Sequence, residues 1–223
     1  MDSAKKNLYL KITLAQENIM TILELKTFFT ENLSSHFTTS EGAELYSIFI
    51  EKELGYNKFQ QRQSENEILS EKQIENFRAL ISELKTGKPF QQILGETEFY
   101  GLKFFVDEHI LIPRPETEEL LELAIEKIKA RSLKSEVIKI LDIGTGSGII
   151  PIVLKKHFPQ AEISAIDFSE KALKTAKRNA DFHEVEINFI HQDYLNADLT
   201  EFYVVIISNP PYIGMEEEVE IAD

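Results

Sequence analysis

The sequence predicts an α/β protein: a mostly parallel sheet in the C-terminal part, an N-terminal helical bundle before it, and a β-hairpin connecting the two. Three observations predict this. From Val137 onward, short apolar runs rich in β-branched residues alternate with helical segments, as expected of strands whose crossovers cover both faces of a parallel sheet. Up to about residue 85, apolar residues recur at helical spacing. Between these parts, residues 97–112 are rich in aromatic and β-branched side chains, with turn residues at Gly101, Asp107 and Glu108.

Taken in order, Ile19, Ile22, Leu23 and the stretch from Leu25 to Phe29 mark a first helix. Leu45, Ile48 and Phe49 mark a second, and Ile74, Phe77, Leu80, Ile81 and Leu84 a third. The third has its own start and stop: Ser70 and Gln73 at capping-box spacing, then Gly87 followed by Pro89. Three to five helices are expected here. Pro113 and Pro115 end the hairpin, and Pro115 suits the first position of a helix running to about Ala130. Beyond it, strands are expected at 137–143, 162–166, 187–190 and 202–208, with helices at 148–157 and 169–181. The six apolar or aromatic residues at 202–207 predict a strand inside the sheet, buried on both faces. The expected domains are 1–90, helical; 91–113, the connecting hairpin; and 114–223, the α/β part.

Composition narrows the function. With 43% hydrophobic and 28% charged residues, the chain is ordinary globular material. Its 24 basic against 38 acidic residues leave a net charge of −14. That argues against nucleic acid as the primary partner, because such affinity comes from Lys and Arg displacing counterions. Most of the imbalance lies in residues 91–223, with 25 acids and 13 bases. Without cysteine there is no disulfide, thiolate nucleophile or cysteine metal site. The five histidines (36, 109, 157, 183, 191) show no metal-ligand pairing, so no metal is expected. Apolar runs reach six residues, far short of a membrane span. The N-terminus, broken by Lys5, Lys6, Lys11, Gln16 and Glu17, lacks a signal-peptide core. A cytoplasmic protein without membrane contact is expected.

Four features carry chemistry. In Leu141-Asp142-Ile143-Gly144-Thr145-Gly146-Ser147-Gly148, a strand ends, three glycines alternate and a helix begins. Such a turn either cradles a ligand against a helix N-terminus or is simply a structural strand–helix turn. Asp167 ends the next strand, where an acid can accept hydrogen bonds from ribose hydroxyls or cap the following helix. Asp193 and Tyr194 follow the third strand, placed either to meet an adenine or to serve as a turn acid and a core tyrosine. Ser208-Asn209-Pro210-Pro211-Tyr212 follows the last strand. Proline fixes φ and lacks N–H, so the Pro210 carbonyl stands beside the Asn209 side-chain carbonyl as a second rigid acceptor. Two such acceptors match the N–H bonds of a primary amide or an exocyclic amine; the alternative is a Pro-Pro strand terminator.

Together these residues resemble the motifs of class I S-adenosylmethionine-dependent methyltransferases that modify nitrogen, which have a Rossmann-like α/β domain. Asn209 to Tyr212 is shared by amino-methylating nucleic-acid enzymes and by protein-glutamine methyltransferases. Two upstream segments, Thr97-Glu98-Phe99-Tyr100-Gly101 and Ile112-Pro113-Arg114-Pro115-Glu116-Thr117-Glu118, resemble the HemK-type (HemK/PrmC) release factor glutamine methyltransferases. The resemblance implies transfer of a methyl group from S-adenosylmethionine to the glutamine side chain in the Gly-Gly-Gln motif of peptide chain release factors. It implies that Gly144, Thr145, Gly146, Ser147 and Gly148 cradle the cofactor's methionine portion, Asp167 its ribose, and Asp193 with Tyr194 its adenine. Asn209, Pro210, Pro211 and Tyr212 would hold the substrate amide, with Asn209, Pro210 and Tyr212 catalytic and Asn209 also against the cofactor. Arg114 to Glu118 would border the site, and the N-terminal domain would recognise the substrate. Pro151 and Tyr194 depart from the family's usual small residue and usual Trp or Phe. The family's sheet continues through three more strands after Tyr212, so a chain truncated at the C-terminus is expected. The competing readings are a DNA or RNA adenine methyltransferase and a non-catalytic cofactor-binding fragment.

Overall fold

The computed structural model describes residues 19–130, 137–196 and 201–209. The chain divides between Leu94 and Gly95 into two units, each with its own core.

The first unit is helical throughout: α1 (Ile22–Leu33), α2 (Thr39–Leu54), α3 (Lys58–Gln63), α4 (Glu71–Lys85) and the short α5 (Phe90–Leu94). Four of these helices begin in capping boxes. Thr21, Thr38, Asn57 and Ser70 each accept from the backbone three residues on, and Glu24, Glu41, Gln60 and Gln73 reach back to the cap N–H. Each box pairs donors that a helix start otherwise leaves orphaned. The apolar stripes meet in a core around Phe29, Phe49 and Phe77, with Phe29 edge-on to Phe77 at 6.5 Å between ring centroids.

The second unit opens with an antiparallel hairpin of β1 (Glu96–Phe99) and β2 (Leu102–Phe105). Its two-residue turn, Tyr100-Gly101, has positive φ at both positions, 53° and 67°, which matches the twist of the flanking strands. The turn is held to α6 (Glu116–Ala130): Glu118 Oε1 accepts the Tyr100 N–H and Glu122 Oε1 accepts its hydroxyl, both at 2.8 Å. The two upstream motif segments thus meet in space.

The hairpin belongs to this second unit. Residues 110–112, expected to be β-rich, form no strand. Ile110 turns into the interior, 4% exposed, and Pro113 denies the ladder a donor.

The sheet contains β3 (Lys139–Ile143), β4 (Glu162–Asp167), β5 (Asn188–His191) and β6 (Val205–Ser208), all parallel, in the order β5-β4-β3-β6. Helices α7 (Ile149–His157) and α8 (Glu170–Phe182) make the crossovers. Pro151 lies in the first turn of α7, where its missing N–H costs no helical bond.

The last strand is shorter than expected. Residues 205–208 form the ladder with β3, the Val204 N–H adds a bond to the Lys139 carbonyl at 2.8 Å, and among the described residues the strand lies at the sheet's edge; Ile206 is 58% and Phe202 94% exposed. A strand face is buried only where another element lies on it, and length of apolar run does not supply that element. Pro210, Pro211 and Tyr212, and the expectation placed on them, lie outside the described residues.

Candidate active site

The strand order fixes where a ligand can sit. From β3 the chain winds outward through β4 to β5, then returns to place β6 on the other side of β3. At such a switch point the loops after the two strands part, leaving a crevice at their carboxyl ends. Ile143 pairs with Ser208, so Gly144 and Asn209 emerge side by side from β3 and β6.

A cleft of about 370 Å³ lies there, within the range of roughly 300–1,000 Å³ usual for small-molecule sites. The loop after β3, the end of β4 and Asn209 line it, and the segment from His109 to Arg114 together with Thr117 forms its other wall. Of the residues singled out from sequence, Gly144, Thr145, Gly146, Ser147, Asp167 and Asn209 are brought together here. Gly148, Asp193 and Tyr194 do not line the cleft.

The glycine loop is tied to β4 at several points. The Gly144 and Thr145 N–H groups both donate to the Ile166 carbonyl, at 2.9 and 3.1 Å. Asp167 Oδ2 accepts the Gly146 N–H and Oδ1 the Ser169 N–H, each at 2.8 Å. Asp167 therefore holds the loop and shapes the start of α8 at the same time. A carboxylate has about four acceptor positions, and among the described residues two of them are used here.

The three glycines differ in role. Gly144 and Gly146 have φ of +74° and +55°; a Cβ at the first would meet nothing within 4 Å and at the second only Ile110 Cγ2 at 4.0 Å. Their backbones therefore border open space. Gly148 faces α8, where a Cβ would lie 3.0 Å from Ala176 Cβ and 3.2 Å from Ala176 Cα. Its bare backbone lets α7 and α8 approach.

Asp193 closes a turn of its own. Its Oδ1 accepts the Leu195 N–H at 3.0 Å and its Oδ2 the Asn196 side-chain N–H at 2.6 Å, across the single 3-10 turn Tyr194–Asn196. Tyr194 is 42% exposed beside it.

The sequence analysis gave no role to Asp142 or Asn179, and placed Thr117 only at the border of the site. Asp142 is fully buried in β3; among the described residues neither carboxylate oxygen, nor the buried Thr145 hydroxyl, makes a hydrogen bond of good geometry, although that hydroxyl lies close enough to act on the carboxyl. Burial pushes the Asp142 carboxyl up to about 7; the neighbouring Thr145 hydroxyl opposes this and the charge of Asp167 adds to it. Asn179, on α8 and fully buried, donates to the Phe105 carbonyl at 2.9 Å and the Ser147 carbonyl at 2.8 Å. It also accepts the Phe105 N–H at 2.7 Å. One side chain thus joins the hairpin, the glycine loop and α8. Thr117 accepts a hydrogen bond from Asn209 Nδ2 at 2.8 Å. Asp142 and Thr117 stood inside quoted motifs; nothing local marked Asn179. Among the described residues no group of three or more His, Asp or Glu side chains is placed to hold a metal ion. None of their helices is long and apolar enough to cross a membrane.

Comparison with known proteins supplies the family. Residues 24–95 match the model of the PrmC N-terminal domain, and residues 122–223 that of the methyltransferase small domain. The release factor glutamine methyltransferase of Flavobacterium psychrophilum is 44% identical over 204 residues, covering 91% of this chain and 71% of its own. That of Chlorobaculum tepidum is 44% identical over 171 residues, covering 74% and 58%; that of Enterococcus faecalis is 38% identical over 189, covering 83% and 66%. The chain therefore spans about three fifths to seven tenths of these relatives' length. With both domains matched in order, and similarity running from the helical unit through the cleft, the chain belongs to the release factor glutamine methyltransferase family.

Proposed function

We propose that this chain carries the cofactor site and the amide-binding Asn209 of an S-adenosylmethionine-dependent enzyme that methylates the side-chain amide nitrogen of glutamine in the Gly-Gly-Gln motif of peptide chain release factors. The observation that carries the reading is the crevice between β3 and β6, where Asn209 stands beside the open glycine loop in a chain of this family.

The residues present suit the cofactor. Gly144 and Gly146 border open space, and Asp167, which lines the cleft, accepts only two hydrogen bonds on its carboxylate among the described residues. Gly144, Thr145, Gly146 and Ser147 would hold its methionine portion and Asp167 its ribose. Bound there, it supplies a methyl group made electrophilic by a sulfonium.

The chain's own residues then position and polarise the amide. An amide nitrogen is a weak nucleophile because its lone pair is delocalised into the carbonyl. A hydrogen bond from the substrate N–H to the Asn209 carbonyl raises electron density on that nitrogen. The same bond strengthens as positive charge develops there, so it favours the transition state over the ground state. Pro210 and Tyr212 are assigned the second acceptor and an aromatic wall. No histidine or carboxylate base is needed, since a protonated N-methyl amide gives its proton to water.

Release factors are the proposed partners and the cytoplasm, where translation ends, the proposed location. The net −12 of residues 91–223 disfavours a DNA or RNA substrate. Purified release factor, its Gly-Gly-Ala variant and duplex DNA, each incubated with the wild-type chain and methyl-labelled S-adenosylmethionine, test the reading. Label is expected in the first alone; label in the Gly-Gly-Ala variant or in DNA would overturn it.

A further inference from the structure

Asn209 Nδ2 donates to Thr117 Oγ1 at 2.8 Å, joining the end of β6 to the first turn of α6 across the cleft that both residues line. Thr117 is 5% exposed, on a helix whose approach is stiffened by Pro113 and Pro115, and its Thr117 N–H is itself bonded to the Arg114 carbonyl at 3.0 Å. Asn209 is exposed, and among the described residues nothing donates to its Oδ1. One partner is rigid and the other would otherwise turn freely, because the terminal amide torsion of asparagine is broad.

We propose that Thr117 is a positioning residue: its hydroxyl holds the Asn209 amide by the nitrogen and leaves the carbonyl oxygen as the end that meets a substrate N–H. An unheld amide would spend part of its time with the NH₂ end outward. It would then present a donor to a donor, and the substrate could not be held. This deepens the proposed function and rests on Asn209 contacting the amide substrate. It also gives a role to the threonine in the segment from Ile112 to Glu118, otherwise assigned only to the border of the site.

The geometry separates positioning from stability. Because Asn209 is exposed, water can satisfy its Nδ2 once Thr117 is changed, and valine keeps the buried shape of threonine. Thr117→Val is therefore expected to leave the thermal midpoint and the cofactor Kd at their wild-type values. Its kcat for release factor should fall roughly 10- to 10²-fold, the cost of a misplaced reacting group. Thr117→Ser, which keeps the hydroxyl, should recover most of the rate. Added to Asn209→Ala, Thr117→Val should cause no further loss, because a positioning residue has nothing left to position. Wild-type kcat in Thr117→Val, an equal loss in Thr117→Ser, or a loss additive with Asn209→Ala overturns the inference.

Absence of transfer by the wild-type chain would instead strike the proposed function. In that event the nuclear magnetic resonance signal of the Asn209 side-chain NH₂ decides the positioning role. The signal should shift and exchange faster with solvent in Thr117→Val but not in Thr117→Ser; an unchanged signal in Thr117→Val overturns the proposal.

Discussion

Replacing Asn179 by Ala should destabilise the second unit by about 3–5 kcal/mol, worked from the three hydrogen bonds that this side chain makes to backbone. The Ser147 carbonyl sits in a residue only 5% exposed; stripped of its donor there, it bears most of the roughly 1–3 kcal/mol cost of a buried unpaired acceptor. The Phe105 N–H and carbonyl are half-buried, so water replaces part of what they lose, and each contributes about 1 kcal/mol. Together the three losses make up the total of about 3–5 kcal/mol. For a unit of this size the unfolding midpoint should drop by roughly 10–20 °C. Because the chain has two units, the readout should be local: hydrogen exchange of the amides in β2, the glycine loop and α8, with chemical denaturation for the free energy. Lys174→Ala, exposed on the same helix, serves as control and should stay within about 0.5 kcal/mol. Asn179→Asp should do no better than Ala, since it keeps the acceptor for the Phe105 N–H but turns negative charge on two carbonyls. A loss below about 1 kcal/mol in Asn179→Ala would refute the reasoning, showing that water or a shift of α8 satisfies the three backbone groups.

The glycines should separate by measurement. Gly146→Val forces a β-branched residue to φ +55° at the cleft and should abolish S-adenosylmethionine binding by calorimetry; an unchanged Kd would remove the cofactor assignment. Gly148→Ala, whose Cβ would lie 3.0 Å from Ala176 Cβ at φ +77°, should lose about 1–3 kcal/mol of stability by urea unfolding, and a neutral result would deny the close approach of α7 and α8. Asn209→Ala should lower methyl transfer roughly 10²- to 10³-fold with little change in cofactor Kd, and near-normal turnover would end its role. The buried Asp142 carboxyl, raised from 3.8 to about 7, binds its proton more tightly when folded, so its contribution is full below about pH 4 and is lost as pH rises through about 7. Unfolding measured from pH 4 to 8 should therefore show wild type losing stability relative to Asp142→Asn across that window; parallel profiles would mean that the carboxyl is not buried as described.

Local chemistry was legible in the sequence, because it depends on neighbours within a few residues. The Ser70–Gln73 box, the Tyr100-Gly101 turn region, the strand–glycine–helix turn at 141–148 and Asp167 at the end of β4 all lie where their residue types predict. Thr21–Glu24 and Thr38–Glu41 show that the same box was readable at two further helices. What only the tertiary structure decided is everything that joins segments far apart in the chain. The order β5-β4-β3-β6, which puts Asn209 beside Gly144, is a matter of which strand returns to which edge, and no periodicity encodes it. Asn179, Thr117 and Asp142 draw their importance from partners, or from a lack of partners, supplied by other elements. The same cause explains β6: six apolar residues in a row state a capacity for burial, while the element that would cover them is set by packing elsewhere. Residue type and spacing thus determined which local structures form and which groups are able to react. The long-range fold determined which of those groups meet, because a contact between distant segments is a property of the packed chain and not of either segment.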